Sequence, residues 1–84
     1  MYWDITNIEL LEHLKLKVTF FDGLTGIVQF EPSHLTGVFA SLKDPAFFGK
    51  AHIDSGAVAW PGGLDLAPDA MHQAIKKNGV WILR

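Results

Sequence analysis

The chain has 84 residues, 49% of them hydrophobic and 12% aromatic, with seven Lys and Arg against nine Asp and Glu for a net charge of −2. A chain of this length builds one domain, 1–84, around one modest core, and its apolar content excludes disorder. The charge balance argues against a general nucleic-acid binder, and the absence of cysteine removes disulfide and thiolate chemistry. No apolar run reaches the roughly 18 residues of a membrane span, and no basic-then-apolar leader opens the sequence. A soluble, cytoplasmic protein is the expectation.

Tyr2 to Leu11 mixes β-formers with polar residues. Trp3, Ile5 and Ile8 alternate imperfectly with Asp4, Thr6, Asn7 and Glu9, which predicts a strand with an irregularity near Asn7. Leu14 to Phe20 carries the cleanest alternation: Leu14, Leu16, Val18 and Phe20 face one way, Lys15, Lys17 and Thr19 the other. That is the pattern of an antiparallel strand with one solvated face. Asp22-Gly23 then supplies a turn, and Gly26 to Phe30 returns as the partner strand. Pro32 restricts Glu31 to extended geometry and ends it.

From Thr36 to Lys50 the period changes to a helical one. Val38, Phe39 and Leu42 have helix spacing, Asp44-Pro45 starts a further short turn, and Phe47 and Phe48 pin it to the sheet before Gly49. A second hairpin follows, with Ala51 to Asp54 and Ala57 to Trp60 joined at Ser55-Gly56. Pro61 stops that strand, Gly62-Gly63 let the chain turn back, and Leu64 to Leu66 form another extended piece. Asp69 to Lys77 reads as a helix with Ala70, Met71, Ala74 and Ile75 as its apolar stripe, closed by Asn78-Gly79. The predicted fold is α+β: an antiparallel sheet of two hairpins, short helices packed on it, and a C-terminal helix.

Chemistry is harder to find. His13, His34, His52 and His72 are too widely spaced to set two metal ligands on one turn or strand. His72 stands three residues after Asp69, which reads as a contact on a helix surface. No nucleophile elbow is present, and Ser33, Ser41 and Ser55 sit where hydroxyls bond the backbone. Asp54 and Asp65 are more simply turn residues than a carboxylate pair, and Gly62-Gly63 is too short for a phosphate loop. No catalytic residue, cofactor or metal is assigned. Lys15 and Lys17 share a solvated face, and Trp81 and Ile82 lie in an apolar tail, so these four mark a candidate interaction surface. That tail, Val80 to Leu83, either adds to an edge of its own sheet or pairs with a second copy as a homodimer. The aromatic content tips the reading toward self-association.

Four runs give the chain a family likeness: Trp3-Asp4; Phe20-Phe21-Asp22-Gly23; Gly37 to Phe48, GVFASLKDPAFF; and Trp60 to Pro68, WPGGLDLAP. Through them it resembles a small bacterial family, domain-of-unknown-function family 2442. The resemblance implies an α+β unit with an antiparallel sheet and short helices, and brings no catalytic residue with it. Members often stand beside small toxin-like proteins, and some are fused to helix-turn-helix domains. That context implies an antitoxin-like or regulatory partner role; this sequence shows no helix-turn-helix extension, so the isolated domain is not expected to bind nucleic acid. Two functions therefore stand: a non-catalytic module that binds another small protein, or a small-ligand protein or enzyme with Asp54, Asp65 and His72 around a pocket between sheet and helices. The first is the stronger expectation.

Overall fold

A computed structural model describes all 84 residues. Its elements run β1 (Ile5–Glu12), β2 (Lys15–Phe20), β3 (Thr25–Phe30), a 3₁₀ turn (Pro32–His34), a 3₁₀ helix (Gly37–Lys43), α1 (Pro45–Phe48), β4 (His52–Asp54), β5 (Ala57–Trp60), β6 (Leu64–Asp65), α2 (Pro68–Asn78) and β7 (Val80–Leu83). They form a four-stranded sheet in the order β1-β2-β3-β7 and a three-stranded sheet in the order β4-β5-β6. The fold is α+β.

The alternation of β2 does what period two requires. Leu16, Val18 and Phe20 are buried, and Val28, opposite Leu16, and Phe30 of β3 join them on the same face. β1 pairs with β2 through two register shifts, between Ile5 and Asn7 and between Leu10 and Glu12, so the irregularity near Asn7 is a bulge. The β1–β2 turn falls on His13 and Leu14, and Leu14 takes φ +69° there instead of opening the strand. Its carbonyl accepts the Phe30 amide at 2.9 Å, while His13 Nε2 meets the Leu42 carbonyl at 2.9 Å. At the next turn the Asp22 carboxylate accepts the Leu24 amide at 3.0 Å and Gly23 sits at φ +91°.

Three expectations need correction. The four-stranded sheet is mixed, because β7 runs parallel to β3 in the register Ile27–Val80 to Phe30–Leu83. The chain leaves the far end of β3 and returns from α2 beside its near end, so the last strand can only run the same way. The first predicted hairpin, β2–β3, gains a strand on each side, β1 and β7, and the second gains the two-residue β6. The stripe of α2 is also turned: Met71, His72 and Ile75 are buried, whereas Ala70 is exposed.

α2 lies close over β3 because Gly26 has no side chain. A Cβ there would stand 2.3 Å from Ile75 Cγ2 and 2.9 Å from the Gly79 carbonyl oxygen. Gly79, at φ +78°, ends the helix and starts the turn into β7. Between the sheets, Trp60 is 1% exposed, its Nε1 donates to the Phe48 carbonyl at 2.9 Å, and its ring lies 5.7 Å from that of Phe48. One cluster of buried side chains draws on both sheets, the 3₁₀ helix, α1 and α2.

Candidate functional site

Three regions bring together residues able to do chemistry or bind: a groove, the His72–Asp22 pair and the β7 side of the larger sheet. The first is a groove of about 470 Å³ between the 3₁₀ helix and the β5–β6 corner, walled by Val38, Phe39, Ser41, Leu64 and Asp65 around Gly62-Gly63. Sequence spacing suggests a helix through Val38, Phe39 and Leu42. The segment winds as a 3₁₀ helix instead, at about three residues per turn, which stacks Phe39 over Leu42 and swings Val38 outward. Val38 is consequently 73% exposed, at the groove rim. Of the three residues expected around a pocket, Asp65 alone borders this groove. Asp54 is exposed on β4, where its carboxylate accepts the Ser55 hydroxyl at 3.3 Å.

His72, the third, is in the core. It is 4% exposed, its ring edge-on to Tyr2 at 4.9 Å and to Phe20 at 4.8 Å. Its partner is Asp22, 50 residues away in sequence, with Nε2 and Oδ2 2.8 Å apart. This corrects the expected surface contact with Asp69: burying the Met71–Ile75 side of α2 turns the imidazole inward, toward the β2–β3 turn. The Leu24 amide, and then His72, hold the Asp22 carboxyl below its ordinary value. An ionised carboxylate only accepts hydrogen bonds, so Nε2 carries the proton and donates. The pair ties α2 to the turn, with no nucleophile in contact.

The other histidines are held separately. His34 Nδ1 meets the Arg84 carbonyl at 3.2 Å, and His52 Nδ1 meets the Lys50 carbonyl at 3.1 Å. No three His, Asp or Glu side chains converge as metal ligands would.

The third region is the β7 side of the four-stranded sheet. Register places Lys15 beside Gln29 and Ile82, and Lys17 beside Ile27 and Val80, all on the face away from the core. Trp81 pairs with Val28 on the opposite face and packs against the core from its margin. Three of the four expected interaction residues thus share a face, and Trp81 is separated from them by the alternation of its strand. Lys15 is engaged with Glu12 at 3.1 Å, an exposed pair of small energetic worth. The signal that sequence reading missed is in the backbone. The amides of Ile27 and Glu31 donate to the carbonyls of Gly79 and Leu83, at 3.2 and 2.8 Å. Odd-numbered positions of β7 therefore face β3, and the peptide groups of Val80 and Ile82 point outward from an open edge. No helix is long and apolar enough to cross a membrane.

A family model described as protein of unknown function, DUF2442, matches residues 5–77. The chain belongs to that family. No curated protein and no solved structure matches it. Within this DUF2442 chain, the two longest runs behind the resemblance supply Leu42, Phe48, Trp60 and Leu66, all buried. They supply part of the core and the corner at Gly62-Gly63. The matched span stops at Lys77, so β7 and its open edge lie outside it.

Proposed function

We propose that this DUF2442 protein is a non-catalytic interaction module that binds another small protein by accepting a strand on β7. The observation that carries this reading is the contrast between sheet edges. β1 has two bulges along its length, Glu9 and Glu12 on it, and its Ile5 amide already bonded to the Gly56 carbonyl at 2.8 Å. β4 and β6, the edges of the second sheet, are three and two residues long. Bulges, charges and shortness are the usual means of blocking edge pairing. β7, Val80-Trp81-Ile82-Leu83, has no bulge, proline or charge, and offers two outward peptide groups.

Strand addition takes its affinity from main-chain hydrogen bonds and its selectivity from pockets for alternate side chains. An antitoxin-like or regulatory role, as the family's gene neighbourhoods suggest, would need no more than this. The first partner to test is the product of the adjacent reading frame, co-expressed and co-purified with the full chain. Ile82→Lys guards the edge from the solvent face without entering the core, and it should reduce retention of that product about tenfold or more. Undiminished retention by a folded Ile82→Lys chain would remove β7 from the role.

A further inference from the structure

We infer that the open edge of β7 takes an extended acidic segment of a second protein, held between Lys77 and Arg84. The inference rests on the strand-addition reading above and adds the chemistry of the occupant. Beside β7 runs a groove of about 480 Å³, walled by Ala74 and Asn78 of α2 and by Val80, Trp81, Ile82 and Arg84. Its floor is apolar, so a strand laid along β7 would turn alternate side chains over Trp81 and Ala74. The side chains between them would continue the outer face beyond Val80 and Ile82.

Arg84 is the one charged residue that lines the groove, and Lys77 lies just beyond its Ala74–Asn78 wall. Lys77 follows Ala74 by three residues, on the same side of α2, and Arg84 closes the other end. No Asp or Glu occurs between Ala70 and Arg84. The nearest acidic side chain by register is Glu31, beside Arg84, and its carboxylate accepts from Gln29 Nε2 at 3.4 Å. Asp69 lies at the far end of α2. The fitting occupant is therefore a short strand with small apolar residues at alternate positions and a carboxylate near each end.

A second copy fits less well. Antiparallel pairing of β7 with itself brings Lys77 of each copy toward Arg84 of the other, setting like charges together. The acidic edge of another copy, around Glu9 and Glu12, is broken by the β1 bulges.

The test uses the isotopically labelled full chain and synthetic peptides with one alternating Thr-Val core, flanked by Glu, Ser or Lys. Amide shifts are followed by NMR, with sedimentation of the free chain at the same concentration. The Glu-flanked peptide should move the Val80 and Ile82 amides at a concentration about tenfold below that of the Lys-flanked one. The double variant Lys77→Glu, Arg84→Glu should invert that order. Equal responses to all three peptides, or no inversion in a folded double variant, would overturn the acidic assignment and leave strand addition standing. Silence of the β7 amides toward every peptide would overturn both. A free chain that sediments as a dimer, with Val80 and Ile82 amides protected until Ile82→Lys splits it, would assign the edge to a second copy instead.

Discussion

β5 and β7 are both four-residue strands, each with one tryptophan and otherwise small or branched apolar residues: Ala57-Val58-Ala59-Trp60 and Val80-Trp81-Ile82-Leu83. All four residues of β5 are buried, while all four of β7 are half-buried. Composition does not separate them; if anything β7 is the more hydrophobic. What separates them is position. β5 has a strand on either side, and Trp60 packs between the sheets. β7 has β3 on one side only, with α2 over one face. A strand's burial belongs to its neighbours more than to its letters, and the strand left half-covered is the one available to a partner.

Truncating the two tryptophans should break or establish this contrast most directly. Trp60→Ala removes a fully buried indole and is expected to cost about 3–5 kcal/mol, enough to threaten so small a domain. Trp81→Ala removes a half-buried one and should cost only about 1–2 kcal/mol. Chemical denaturation of both variants gives the comparison, and equal losses would mean that β7 is as much core as β5.

Gly26→Ala probes the seam that holds α2 and β7 in place. The new methyl meets Ile75 and the fixed Gly79 carbonyl, so a loss of about 1–3 kcal/mol is expected, with the β7 resonances moving more than those of β5. A neutral Gly26→Ala would show that the helix can lift off the sheet without penalty.

The third prediction concerns pH. Asp22 has a folded-state pKa below its unfolded value, so its contribution to stability is complete above the unfolded value of about 3.9 and is lost as pH falls through the lower, folded value. Asp22→Asn should therefore lower the neutral plateau of the stability profile and leave its acid extreme nearly unchanged, which flattens the limb between them. Thermal melts across that range decide it, and superimposable acid limbs would mean the carboxylate is not tied to Leu24 and His72 in solution.

The smallest effect alters no stability at all. Amide exchange in the free chain should be fast at Val80 and Ile82 and slow at Trp81 and Leu83, an alternation absent from β5. Uniform protection along β7 would mean that something already covers its edge.

Much of this architecture is legible in the residues. The β2 alternation, the Asp22-Gly23 and Ser55-Gly56 turns, the Asp44 cap and the limits of α2 follow from short-range rules. Each of these depends on side-chain period, a φ preference or a local hydrogen bond. Asp44 accepts the Ala46 amide at 3.0 Å, and Ser55 and Gly56 take the positive φ values such a turn demands. Trp60 as a core residue was equally readable, because a strand ended by Pro61 and a glycine corner has one place to bury an indole.

What the sequence could not determine spans long separations. His72 finds Asp22 across 50 residues only because α2 settles over the β2–β3 turn. Val38 leaves the core because packing favours a 3₁₀ winding over the α-helical one its spacing suggested. β7 runs parallel, with Trp81 and Ile82 on opposite faces, because the chain re-enters the sheet beside the start of β3. Period, turn chemistry and capping act over a few residues and so are written in the chain. Strand direction, the second face of a helix and the partner of a buried imidazole depend on where distant segments come to rest, and only tertiary packing decides that.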